Sequence, residues 1–208
     1  MNRKKTILTA VVLLLVILIG GMLAYFTDTE TRTNVFTIGN VNIELNEDGW
    51  TNSSGTEYTK AEAQNIAPNT TVAKNPTIKN IGASGAGNEA YVFLKVEVPY
   101  ANVTVDGTKA NQDIYTFESL DSTNWTELTI SGVTGNGTHV YAYGSSSAMT
   151  ALGYNQTTEA LFTGVKLKNL DDVSELGATS ANITVTAYGI QTSDLGATDP
   201  AQIFALFN

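Results

Sequence analysis

The stretch Ala90-Tyr-Val-Phe-Leu-Lys-Val-Glu-Val98 alternates aliphatic side chains with aromatic or charged ones along its whole length. One face carries four apolar residues, which are Val92, Leu94, Val96 and Val98. Lys95 and Glu97 fall on the other face. Because successive side chains of a strand point to opposite sides of a sheet, this pattern predicts a β-strand with one face in a core.

Other segments rich in Thr, Val, Ile and aromatic residues predict further strands, separated by turn residues. In residues 181–190 the inward residues are Ile183, Val185 and Ala187, and the outward ones are Asn182, Thr184 and Thr186. Strands are also predicted in residues 125–130, 138–143 and 161–167. Glycine-rich residues 82–87 and 132–137, and residues 143–147, predict hairpin loops.

The segment from residue 34 to 45 changes phase in its middle. Phe36 and Ile38 occupy even positions, whereas Val41, Ile43 and Leu45 occupy odd positions, so one continuous strand could not place all five on the same face. We therefore expect a bulge or bend at Gly39-Asn40 that divides two strand halves.

Helical signals are few. Asp199 is a predicted N-cap, Pro200 suits the first helical position, and Gln202 completes a capping box. Ile203, Leu206 and Phe207 should share the buried face of this helix, and a weaker capping box spans residues 59–62. Many strands and few helices predict an all-β fold, an antiparallel β-sandwich with short peripheral helices.

Composition and charge exclude several functions. The 208 residues contain no cysteine, which rules out disulfides, cysteine zinc sites and thiol catalysis. The net charge is −9, with three basic residues and no acid in residues 1–24, so residues 25–208 carry 8 basic and 20 acidic residues, or −12. Such an acidic chain lacks the basic footprint of a nucleic-acid-binding protein.

The N-terminus has the pattern of an exported protein. Arg3, Lys4 and Lys5 precede an uncharged run over residues 7–24, which as a helix would span about 27 Å. This length suits either a retained membrane anchor or a signal peptide with a long apolar region. The helix-breaking Gly20-Gly21 and the small Ala24 favour cleavage between Ala24 and Tyr25, although Met22 is large for its position.

Candidate catalytic and metal-ligating residues are sparse. His139 is the only histidine, lies on the same predicted face as Tyr141 and Tyr143, and has no His-Glu-x-x-His context, so we expect a surface or packing role. Acidic residues at 46–49 and 171–175 could hold calcium, but neither segment has EF-hand spacing and turn chemistry explains both. We predict no catalytic residue, no metal ligand and no cofactor.

Several short sequence motifs occur together in this chain. They are Tyr25-Phe-Thr-Asp28, the pattern from Phe36 to Ile43, Ile66-Ala-Pro-Asn69 with Val72-x-Lys74, Ile78-Lys-Asn-Ile-Gly82, and Ile183 to Gln191. Together they resemble the TasA and camelysin family of secreted Gram-positive proteins. The sequence departs from the family at Asn69, where glycine is common, and residues 100–160 contain no phrase of this kind.

The resemblance implies a division of the chain into three parts. Residues 1–24 would be a signal peptide removed by a SipW-type signal peptidase, residues 25–45 an N-terminal donor strand, and residues 46–208 a β-sandwich of jelly-roll type. It also implies a protein of the extracellular matrix or cell surface. Membrane contact would occur only through the uncleaved signal segment.

Three functions follow as hypotheses. The first is a structural subunit of biofilm matrix fibres, a homopolymer in which Phe36, Ile38, Val41 and Ile43 enter the next subunit, with other matrix components as further partners. The second is a camelysin-like metallo-endopeptidase at the cell surface. The third is a monomeric adhesin that binds through the glycine- and tyrosine-rich residues 141–154.

Overall fold

The computed structural model describes residues 34–39, 41–47, 67–83, 88–176 and 182–207. The predicted signal segment, its cleavage point after Ala24 and the weak capping box at residues 59–62 lie outside these ranges. Within them, no helix is both long enough and apolar enough to cross a bilayer.

Strands dominate the described residues. They are β1 (Asn34–Ile38), β2 (Ile43–Asn46), β3 (Thr71–Ala73), β4 (Thr77–Asn80), β5 (Ala90–Glu97), β6 (Tyr100–Val105), β7 (Thr108–Asp113), β8 (Tyr115–Glu118), β9 (Trp125–Leu128), β10 (Thr138–Tyr143), β11 (Gly164–Leu167) and β12 (Thr184–Gln191). A short helix α1 (Pro200–Phe204) and 3₁₀ turns at Val173–Leu176 and Ala205–Phe207 complete the described chain. The all-β sandwich prediction is confirmed.

The largest sheet has the order β1-β12-β5-β10-β9. Its pairs are antiparallel except at one edge, where β1 runs parallel to β12. Leu94 of β5 lies opposite Ala187 of β12 and Tyr141 of β10. The predicted inner face of β5 is confirmed, because Val92, Leu94, Val96 and Val98 are all buried.

Smaller sheets cover that inner face. They have the orders β3-β11-β8 and β2-β4, and β6 pairs with β7 as a separate hairpin. The main core joins β5 and β12 to residues such as Leu45, Val72, Ile78 and Val165 of the smaller sheets. β2 lies very close to β12, since a Cβ added to Gly189 would come within 3.0 Å of Ile43.

A second core covers the opposite face of the large sheet. Phe93 of β5 and Ile190 of β12 pack there with Ile203 and Phe204 of α1. The predicted N-cap is confirmed, because Oδ1 of Asp199 accepts from the amides of Ala201 and Gln202 at 3.0 and 3.1 Å.

Two details of this face differ from the sequence predictions. Leu206 is 44% exposed and Phe204 is buried, because the helix tightens into a 3₁₀ turn after Phe204 and the face rotates. Thr186 lies on the outer face as expected, but it is buried because its strand β12 runs between β1 and β5.

The predicted phase change between Ile38 and Val41 is confirmed. Strand β1 ends at Ile38, Gly39 adopts φ 85°, and β2 begins at Ile43 in a different sheet. A positive φ is readily adopted by glycine, so this residue suits the point at which the chain leaves one sheet for the other.

Candidate functional site

The four residues predicted to carry assembly occupy two different environments. Phe36 and Ile38 lie on β1 at the sheet edge, 55% and 37% exposed. Val41 and Ile43 lie in the main core of their own molecule, 9% and 3% exposed. The structure therefore places only the first two where another molecule could contact them.

An aromatic cluster connects β1 to the second core. The ring of Phe36 stacks on that of Tyr188 with 5.2 Å between the ring centroids. Tyr188 packs edge to face with Phe204 and Phe207, at centroid distances of 5.0 and 5.1 Å. Phe204 in turn contacts Phe93 at 5.3 Å. Burial raises the pKa of Tyr188. Phe36 is thus the exposed end of a cluster that reaches the core.

The outer edge of β1 is open in the described part of the chain. β1 pairs with β12 on one side and is the terminal strand of the sheet. Its sequence Asn-Val-Phe-Thr-Ile contains no charge and no proline. Natural sheets usually protect such edges with charged residues or proline, so β1 has the properties of a strand that joins another chain.

His139 lies between two carboxylates. Its Nε2 is 2.9 Å from Oδ2 of Asp113, and its Nδ1 is 2.7 Å from Oε1 of Glu127. Both contacts are hydrogen bonds only when the ring carries two N–H groups, because neutral imidazole has one. Phe117 packs edge-on against the ring at 5.6 Å, and Tyr141 stacks near it, as the predicted shared face requires.

This arrangement does not fit a zinc site. A catalytic zinc needs three protein ligands that converge on one point. Here the two carboxylates lie at opposite nitrogens of one ring, so an ion bound at either nitrogen would meet only one of them. Elsewhere in the described residues, no three histidine or acidic side chains come together in a metal-binding group.

The acidic residues after β11 hold the β6–β7 hairpin. Oδ2 of Asp171 accepts from the amide of Gly107 at 2.8 Å. Glu175 accepts from the amide of Thr104 and from Nζ of Lys109, the latter at 2.8 Å. The hydrogen bond from Lys109, then those from Thr104, hold the pKa of Glu175 below its usual value. These carboxylates clamp a hairpin, which accounts for them without calcium.

A buried ion pair lies at the end of β2. Nζ of Lys74 is 2.5 Å from Oε1 of Glu47, and the two side chains are 10% and 11% exposed. Of the second predicted calcium segment, residues 46–49, only residues 46 and 47 are described. The pairing of Glu47 with a lysine could not be read from the sequence, because the residues between them form no recognisable motif.

A groove of about 450 Å³ opens beside Tyr143. The phenol of Tyr143 donates to Oε2 of Glu159 at 2.5 Å, and the indole of Trp125 donates to the carbonyl of Glu159 at 3.0 Å. Burial, and then the hydrogen bond to Glu159, raise the pKa of Tyr143 to about 12. Sequence reasoning singled out residues 141–154 but not Glu159, which only folding brings to Tyr143.

Comparison with known proteins agrees with the sequence phrases. The family model described as camelysin metallo-endopeptidase matches residues 3–115, more than half of the chain. No curated protein and no solved structure matches the chain. The match includes the uncharged N-terminal run, β1 and β2, and it ends where β8 begins. On this match the chain belongs to the camelysin family.

Proposed function

We propose that this protein is a secreted structural subunit of extracellular matrix fibres, and that it polymerises by placing its N-terminal strand in the next subunit. The observation that carries the proposal is the position of β1. It is an uncharged edge strand on which Phe36 and Ile38 are 55% and 37% exposed.

The contacts of β1 can be made by a neighbour as well as by the same molecule. β1 pairs with β12 over five residues, from Asn34 opposite Thr186 to Ile38 opposite Ile190. These contacts are mainly backbone hydrogen bonds, which do not depend on which chain supplies the strand. β2 would stay in place, because its Ile43 is part of the main core.

Transfer of β1 to a second molecule leaves that molecule's own β1 free for a third. Such a head-to-tail contact does not close on itself and therefore produces a filament. Export through the N-terminal segment, cleavage by a SipW-type peptidase after Ala24, and contact with other matrix components belong to the same proposal. Cleavage would leave β1 near a free end.

The family name raises peptidase activity as the alternative. Among the described residues, His139 is the natural candidate ligand, and its two carboxylate neighbours do not converge. We therefore assign His139 a structural role between β7, β9 and β10. Peptidase activity of the purified protein that is lost both in His139→Ala and with a chelator would contradict this assignment.

Electron microscopy of the secreted protein tests the main proposal. We expect filaments from the chain that begins at Tyr25, and monomers from a variant that begins at Val41 and so keeps Val41 and Ile43 in the core. Filaments of equal abundance from both chains would refute it. Both should be examined at neutral pH and near pH 4.5, the sequence pI, because −12 of charge opposes association until carboxylates are protonated.

A further inference from the structure

Backbone hydrogen bonds hold both walls of the groove beside Tyr143 in place. One wall is the end of β10 with the residues that follow it, and the amide of Thr150 donates to the carbonyl of Tyr143 at 2.8 Å. The other wall, residues 153–159, is tied to β4. The amide of Asn155 donates to the carbonyl of Asn80, and the amide of Asn80 donates to the carbonyl of Gln156, at 2.8 and 3.0 Å. A ligand would therefore meet a preformed surface.

Several polar groups in the groove have unused hydrogen-bonding capacity. The hydroxyls of Thr150 and Thr157 and the Nε2 of Gln156 make no hydrogen bond within the described part of the chain. Oε1 of Gln156 is occupied by the amide of Gly153 at 2.8 Å, which fixes the direction of the amide group. Glu159 uses Oε2 for Tyr143, and its Oε1 remains available.

The lining decides which class of ligand fits. Glu159 is the one charged residue of the lining, so phosphates and acidic sugars would meet a like charge. Leu152 is the largest aliphatic residue there and is buried, so the groove offers little apolar surface to a lipid. Hydroxyl, amide and carboxylate groups around a tyrosine ring suit a ligand with many hydroxyl groups and flat apolar faces.

We propose that this groove is a binding site for a neutral oligosaccharide, with Tyr143 as the apolar contact and Thr157, Gln156 and Glu159 as hydrogen-bonding groups. Its volume lies within the range of small-molecule sites, roughly 300–1,000 Å³. The groove lies at the end of β10, which β12 and β5 separate from β1 in the large sheet, and it does not depend on the fibre proposal. A subunit with such a site would attach a fibre, or a single molecule, to a glycan surface.

Titration of the secreted protein with cellotetraose and chitotetraose, followed by NMR, tests this proposal. We expect saturable shifts of the Gln156 side-chain amide and of the Thr157 and Tyr143 backbone amides, with none for the amides of α1. Oligogalacturonate, which is anionic, should leave the groove signals unchanged. The absence of saturable shifts with both neutral probes at millimolar concentration would refute the proposal.

Matched variants test whether the oligosaccharide binds in the groove. Thr157→Val removes one hydroxyl and should weaken binding about fivefold, and Glu159→Gln should weaken it about tenfold or more. Tyr154→Ala is the control, because Tyr154 is exposed on the same loop but does not line the groove. Binding that falls in Tyr154→Ala and not in the groove variants would refute the site. Filament formation by all three variants should be unchanged, which separates this test from that of the fibre proposal.

Discussion

Replacing Phe36 by aspartate should weaken fibre assembly without opening either core of the folded subunit. Phe36 is 55% exposed and belongs to neither core. More than half of its surface is therefore available for contact with a neighbouring subunit. The substitution places a charge on an edge strand that has none. It therefore acts on the contact between molecules.

The magnitude follows from the exposed area. A buried phenylalanine removes about 200 Å² from water, so about 110 Å² of Phe36 remains to be covered. The exchanged strand brings two subunits together, and covering this outer surface of Phe36 where they meet would be worth about 2–3 kcal/mol for each contact, at about 25 cal/mol per Å². Loss of this term should raise the critical concentration for assembly by about 30- to 150-fold. The part of Phe36 already buried is worth about 2 kcal/mol, and its loss loosens the docking of β1 without opening either core.

The assay is sedimentation of filaments over a range of protein concentrations, with urea denaturation of the same samples. Tyr154→Asp is the matched control, because Tyr154 is 52% exposed and lies far from β1 in the sequence. The control should assemble like the wild type. A Phe36→Asp protein with an unchanged critical concentration, or one whose urea midpoint falls as far as that of a core variant, would refute the reasoning.

Four further outcomes test the packing and the electrostatics. Lys74→Met should lower the free energy of unfolding by about 3–5 kcal/mol in urea denaturation, because it leaves Glu47 buried without its partner, and adding Glu47→Leu should restore most of the loss. Phe204→Ala should lower the free energy of unfolding by about 3–5 kcal/mol in the same measurement, because it leaves a cavity in the second core. A loss below about 1 kcal/mol would contradict that packing. Asp199→Ala should cost about 0.5–2 kcal/mol through loss of the helix cap, whereas Asp199→Asn should cost less. The lowered pKa of Glu175 stabilises the fold above its unfolded value of 4.5, and this contribution is lost as pH falls through the lower folded value, so thermal melts of Glu175→Gln should depend less on pH below 4.5.

The strand pattern was predictable because it is local. Alternation in β5 and β12 identified the inner face residue by residue, and the N-cap at Asp199 needed only neighbouring residues. The second core was not predicted, although the outer face of β5 is aromatic at Tyr91 and Phe93 and charged only at Lys95 and Glu97. The sequence did not indicate the register that places Tyr188 opposite Phe93. This register joins the apolar parts of two strand faces into one patch on which α1 packs.

The candidate sites were harder to predict because their members are distant in sequence. The clamp joins Glu175 to Thr104, and the groove joins Glu159 to Tyr143. Spacing along the chain contains no sign of either contact. The parallel direction of β1 was equally hidden, because strand alternation is the same whichever way a neighbour runs.

The two cores explain why β1 is the strand that we propose is exchanged. β12, β5 and β10 have the main core on one face and the second core on the other, so removing any of them would expose both. β1 adds Val35 at the margin of the main core and otherwise contributes backbone pairing and the exposed Phe36 and Ile38. Its detachment therefore costs little relative to global unfolding, as expected of a peripheral element. A body that stays folded while one strand changes partners is what repeated addition of subunits requires.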